Sequence, residues 1–158
     1  MASASAPSCT ATKAEDVPWH ANLPAPKSTA ASISRQDLLT WFSEKTVGKD
    51  FVLVDLRRTD YEGGTIHGSI NLPAQSLYHT IPSLYAIFSA ANIRHVIWYC
   101  GSSRGRGTRA SGWFEDYIKE RGDSQMKSLT LEGGIKGWAT AGKEYVELMD
   151  DYHEEVWK

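Results

Sequence analysis

The chain has 158 residues, 41% of them hydrophobic, and a net charge of −2. That length supports one core-bearing domain, and the near-neutral charge supplies no basic field for nucleic acid. No stretch approaches the roughly 18 apolar residues needed to cross a bilayer, and two cysteines, Cys9 and Cys100, form no disulfide framework and fit a reducing compartment.

Residues 1–31 are rich in Ala, Ser, Thr and Pro and poor in large apolar residues. Such a segment cannot bury enough surface to offset its ordering entropy, which predicts a flexible arm. Within it, Val17-Pro18-Trp19 is the stretch expected to dock. There is no apolar signal core, and residues 1–30 contain Glu15 and Asp16 but no Arg, unlike a mitochondrial presequence. The expected location is the cytoplasm and/or nucleus.

The predicted domain covers residues 32–142. Ser34 is a good N-cap, with Ile33 and Leu38 placed as a hydrophobic staple around it. Leu38, Leu39, Trp41 and Phe42 then mark a short amphipathic helix. Phe51-Val52-Leu53-Val54 is an unbroken apolar run closed by Asp55, the pattern of a strand covered on both faces. A polar loop runs through Gly64, Ser69 to Leu72 reads as a short strand, and Ile81 to Ala91 as a helix with Thr80 as its cap and Pro82 in its first turn.

His95 to Tyr99 is the next buried strand. After a Gly- and Ser-rich loop, Ala110, Trp113, Phe114, Tyr117 and Ile118 form one helical face, ended by Gly122. Ser128 to Leu131 is a strand, Glu132-Gly133-Gly134 a turn, and Ile135 to Ala141 a helix. In the acidic tail, residues 143–158, Tyr145, Leu148, Met149, Tyr152 and Val156 recur with helical spacing. Strands alternating with helices predict an α/β fold with a mainly parallel central sheet and helices on both faces.

The chemistry concentrates between Cys100 and Arg106. This loop starts where a buried strand ends and stops where an amphipathic helix begins. Ligands of open α/β sheets bind outside the carboxyl ends of the strands, and a helix start offers unpaired N–H groups to an anion. The glycines allow the backbone of Gly101, Ser102, Ser103, Arg104 and Gly105 to curl into a nest of inward N–H groups. Arg106 adds a planar fork for two oxygens of an oxyanion, and Cys100 supplies a thiolate nucleophile at the base. The competing reading, a small core cysteine beside a connecting loop, is weaker because the strand–loop–helix context and the terminal Arg coincide. The histidines show no metal-ligand spacing, so no metal is expected.

Three segments, in order, resemble the rhodanese superfamily, and within it the Cdc25-like branch. They are Leu53 to Arg57 continuing through Tyr61-Glu62-Gly63-Gly64 to Ile66–Pro73, the Cys100 loop, and Leu131 to Trp138. In that branch the loop is a Cys, five residues, then Arg-Gly, as Cys100 through Arg106-Gly107 has it; sulfur-transferring rhodaneses usually have a shorter loop. The resemblance implies a three-layer rhodanese-like fold and a Cdc25-like phosphatase, an arsenate reductase, or both. It also gives Cys100 the attack on phosphorus or arsenic, and Arg106 and the loop amides the hold on the anion. Many relatives have His where this chain has Tyr99, with Arg104 as a second cation that compensates.

A phosphatase needs an acid for the leaving oxygen; Glu132 ranks first, ahead of Asp60 and Glu62. Asp55 and Arg57 read as a structural ion pair holding the loops, His67 as a structural hydrogen bond, and Arg109 as a broadening of the positive field. The implied ligands are phosphate, a phosphate monoester (on a phosphoprotein or otherwise) or arsenate, with neither nucleic acid nor membrane as partner. A phosphatase needs no cofactor; an arsenate reductase implies glutathione and a glutaredoxin, since Cys9 is the only other thiol and most simply an incidental one. The rival functions are thiosulfate-type sulfurtransfer through a Cys100 persulfide and a non-catalytic phosphate-binding module.

Overall fold

The computed structural model describes residues 17–158; Cys9 lies outside the described residues. Five strands build one sheet: β1 (Ala31–Ile33), β2 (Phe51–Asp55), β4 (Ile70–Asn71), β5 (His95–Tyr99) and β6 (Lys127–Leu131), in the order β1-β6-β5-β2-β4. Every pairing in it is parallel. The strand ends therefore align, and the residue after β5, Cys100, sits at the carboxyl edge between the loops that follow β2 and β6.

The unbroken apolar runs of β2 and β5 follow from burial on both faces. Val52, Val54, Val96 and Trp98 face a cluster with helices α2 (Ile81–Ala90) and α3 (Arg106–Glu120). Phe51, Leu53, Ile97 and Tyr99 face the other cluster, with α1 (Arg35–Glu44) and α4 (Gly134–Ala139). At α1, the Asp37 N–H donates to Ser34 Oγ at 3.1 Å, and Ile33 and Leu38 are buried on either side of the cap, as the staple requires. Thr80 does not cap α2. Two 3₁₀ turns, Ala74–Ser76 and Tyr78–Thr80, run directly into the helix, so Thr80 already has helical backbone angles and its hydroxyl donates back to Ser76 O.

Two segments depart from expectation. The described part of the supposed flexible arm lies along α3. Trp19 meets Trp113 edge-on at 6.1 Å, Trp113 Nε1 donates to Pro24 O at 2.8 Å, and the Lys27 N–H donates to Asp116 at 2.8 Å. Gly112 makes this approach possible, since a Cβ there would stand 2.7 Å from Pro26 and from the Ser28 carbonyl.

The C-terminal segment is likewise not one helix. It makes two four-residue turns, α5 (Lys143–Val146) and α6 (Glu154–Trp157), separated by β7 (Met149–Asp150), which pairs antiparallel with β3 (Thr65–Ile66). The periodic apolar residues serve packing instead: Tyr145 is buried, its carbonyl accepts from Trp138 Nε1 at 2.8 Å, and Trp157 Nε1 donates to Gly63 O at 2.8 Å. The segment past residue 142 thus packs against the domain.

Candidate active site

The loop from Cys100 to Arg106 is shaped from outside. Its carbonyls are tied away from its centre. Cys100 O and Gly101 O accept from the N–H groups of Ile135 and Lys136 at the start of α4, each at 3.0 Å. Ser103 O accepts from Thr108 Oγ1 at 2.8 Å, and Gly105 O from the Arg109 N–H at 3.0 Å. Gly134 lets α4 come this close: it has φ +58°, and a Cβ on it would lie 2.5 Å from Cys100 O. Peptide units whose carbonyls face out present N–H groups inward. Those of Gly101, Ser102, Arg104 and Gly105 have no hydrogen-bond partner among the described residues.

Cys100 lies at the base of this ring, 3% exposed. The N–H groups of Ser103 and Gly107 point at its Sγ at 3.2 and 3.3 Å. To deliver that N–H, Ser103 adopts φ +61°, a left-handed conformation costly for a non-glycine residue and characteristic of functional loops. Its hydroxyl accepts from the Cys100 N–H at 3.4 Å. Two N–H donors and the N-terminus of α3 thus converge on the sulfur.

Arg106 closes the mouth. Its fork engages Asp60, Nη1 to Oδ1 at 2.8 Å and Nη2 to Oδ2 at 2.5 Å. The Arg106 bond holds the Asp60 carboxyl well below the usual carboxylate range. Reciprocally, Asp60 raises the Arg106 guanidinium, and Cys100 adds a smaller share. Asp60 is the one carboxyl among the described residues that lines the cleft of about 840 Å³ above Cys100.

Glu132, the residue expected to serve as acid, is not brought to this cleft. Its N–H donates to Ile33 O at 3.0 Å, its side chain is exposed, and the Gly133-Gly134 turn is used to deliver α4 to the loop carbonyls. The loops after β2 and β6 both flank β5, so sequence offers Asp60 as well as Glu132, with Glu132 ranked first. The turn chemistry decides between them. Sequence reasoning also missed Gln75, Trp19 and His20, which line the same cleft.

Asp55, Arg57, Tyr99 and His67 make structural contacts. Arg57 and Asp55 form a buried pair at 2.8 Å, and Arg57 also donates to the carbonyls of Glu62 and Gly64 at 2.9 and 2.7 Å, which fixes the loop carrying Asp60. Tyr99, directly before Cys100, turns into the opposite core. Its hydroxyl joins Thr65 Oγ1 at 2.8 Å and Ser69 Oγ at 2.6 Å. Burial, and then the Asp55 carboxylate, push its phenol far above the ordinary value, so it is neutral and lends Cys100 no charge. His67 pairs with Asp150 at 3.0 Å on the surface. Arg104 and Arg109 line the cleft, and neither has a carboxylate partner among the described residues.

Residues 36–141 match the rhodanese-like domain family. The chain is 33% identical over 103 residues to arsenical-resistance protein 2 of Saccharomyces cerevisiae, covering 61% of this chain and 79% of that one. It is 25% identical over 104 residues to the dual specificity phosphatase ibp1 of Schizosaccharomyces pombe, covering 66% and 72%. Among solved structures, yeast Ygr203w, a protein tyrosine phosphatase of the rhodanese family, superposes with a TM-score of 0.69 at 22% identity, over 83% of this chain and all but 1% of that one, its coverage being 99%. The As–Sb reductase of Leishmania major gives a TM-score of 0.60 at 20% identity, over 66% and 73%. The matched stretch holds most of the parallel sheet, the Cys100 loop and the α4 clamp that shapes it, and the chain belongs to the rhodanese-like domain family.

Proposed function

We propose that this chain is a cysteine-dependent enzyme that processes a tetrahedral oxyanion in the Cys100–Arg106 loop, as a Cdc25-like phosphatase, an arsenate reductase, or both. The observation that carries the reading is the convergence of the Ser103 and Gly107 N–H groups on Cys100 Sγ, beneath an Arg fork and a ring of amides unpartnered among the described residues. The named activities of the yeast relatives support the same class.

In the phosphatase reaction, the Cys100 thiolate attacks phosphorus. The S–P bond forms as the bond to the leaving oxygen breaks, and that oxygen takes a proton from an acid. Water then attacks phosphorus, releasing phosphate and restoring the thiolate. Loop amides and Arg106 hold the equatorial oxygens throughout. A bound anion takes the Arg106 fork from Asp60. The released carboxyl is then free of the cation that keeps it ionised and serves as the acid. With arsenate, Cys100 displaces an oxygen, lost as water, to give a thiol–arsenate adduct. Reduction of As(V) to As(III) takes two electrons from glutathione and a glutaredoxin, which are oxidised to a disulfide.

The test compares three turnovers, each against Cys100→Ser: an aryl phosphate, arsenate with glutathione and glutaredoxin, and thiosulfate with cyanide. Cys100-dependent turnover of either oxyanion supports the proposal and chooses its branch. Turnover of thiosulfate alone would replace it with sulfurtransfer, and phosphate binding without any turnover would leave a binding module.

A further inference from the structure

We propose that residues 18–29, which precede the family-matched stretch, form a specificity wall that makes the Cys100 cleft select an aryl phosphate monoester over a bare inorganic oxyanion. The inference rests on the oxyanion reading above and names the substrate class of that site.

The cleft measures about 840 Å³, within the range of about 300–1,000 Å³ typical of sites for organic ligands. The Cys100 loop alone accommodates a four-oxygen anion, so the rest of the cleft belongs to what the anion is attached to. Trp19, His20 and Pro26 form the side facing the loop. Trp19 and His20 meet edge-on at 5.2 Å, giving a mixed aromatic and apolar surface of the kind against which a ring packs.

This wall is held in place. The Trp19–Trp113 contact, the Trp113–Pro24 hydrogen bond and the Lys27–Asp116 bond anchor it along α3. Lys119 Nζ adds a bond to Ser28 Oγ at 3.1 Å. Gly112 leaves the space that the segment fills. A surface anchored at four points is pre-organised, so little ordering cost opposes binding.

Gln75 lines the cleft, and its Oε1 is sealed from solvent without a hydrogen-bond partner among the described residues. A buried amide oxygen is costly to leave unpaired. Rotating the side chain brings the amide into the cleft, where a polar atom of an ester substrate can meet its oxygen or its NH₂.

The test measures binding to Cys100→Ser protein by calorimetry, with phenyl phosphate, methyl phosphate and inorganic phosphate as probes. Phenyl phosphate should bind at least about tenfold more tightly than inorganic phosphate, and methyl phosphate within about threefold of it. Adding Trp19→Ala should erase the phenyl advantage while leaving inorganic phosphate within about twofold. Gly112→Val, checked for folding by its melting curve, should do the same by lifting the segment off α3. Inorganic phosphate bound with phenyl phosphate no tighter, or a phenyl advantage that survives Trp19→Ala, overturns the wall. Failure of all three probes to bind overturns the oxyanion reading beneath it.

Discussion

Asp60 and Arg106 meet carboxylate to guanidinium across the mouth of the Cys100 loop, through two bonds of 2.8 and 2.5 Å. An oxyanion in the loop needs the same fork, so the carboxylate and the substrate compete for it. Replacing Asp60 with Asn removes the charge and weakens the competitor. Asp60→Asn should lower the competitive inhibition constant of inorganic phosphate by about three- to tenfold. It should slow turnover most for esters with poor leaving groups, which need the acid. An unchanged phosphate constant would mean the fork is not shared.

The same pair predicts a pH dependence of stability. Arg106 lowers the Asp60 carboxyl in the folded state, so the folded protein binds fewer protons there than the unfolded chain. The stabilisation is complete above the ordinary carboxylate value of about 3.9 and is lost as pH falls from there through the lowered folded value. Asp60 is 47% exposed at its side chain, which limits the pair to about 1 kcal/mol or less. The melting temperature of the wild type should exceed that of Asp60→Asn slightly at pH 7, and the gap should close below about pH 4. A gap that widens in acid would contradict the assignment.

Gly134 is the hinge of the clamp on the loop. An Ala there would place Cβ 2.5 Å from a backbone carbonyl at φ +58°, and neither side can yield cheaply. Gly134→Ala should cost about 2–3 kcal/mol and weaken phosphate binding about tenfold, because the loop carbonyls lose their outward partners. Gly137→Ala, three residues along the same helix with its nearest neighbour at 3.8 Å, is the control and should be tolerated. Denaturant melts of both variants, with phosphate titrations, check this.

Tyr99→Phe separates stability from catalysis. The lost hydroxyl leaves Thr65, Ser69 and the Ile66 N–H short of a partner, at a cost of about 1–3 kcal/mol. Since the neutral phenol carries no charge near Cys100, the pH–rate profile should keep its shape. A shifted profile would give Tyr99 a part in activating the thiolate.

Much of this architecture was legible in the sequence where one local pattern sufficed. The two central strands announce themselves because residues 51–54 and 96–99 are apolar without alternation, and both strands are buried on two faces. The strand–loop–helix connection that carries Cys100 and Arg106 was legible because its pattern is contained in one stretch. Partnerships across the chain were not. β1 shows a single buried residue, Ile33, and exists by pairing with β6. β7 pairs with a strand more than eighty residues earlier in the chain, by the register Thr65 to Asp150, so its spacing imitates a helix. Asp60 and Glu132 differ only in which neighbouring loop folds over Cys100, and Trp19 reaches the cleft because Gly112 leaves room on a helix nearly a hundred residues away, at position 112 against 19.

The account turns on Cys100 as the attacking atom. The most direct measurement is peptide mass spectrometry of enzyme acid-quenched during turnover of an aryl phosphate, with Asp60→Asn used alongside the wild type to slow the cycle. The prediction is a single phosphoryl group on the peptide containing Cys100, absent from Cys100→Ser. Turnover at an undiminished rate in Cys100→Ser, or a phosphoryl group found only on another residue, would contradict it.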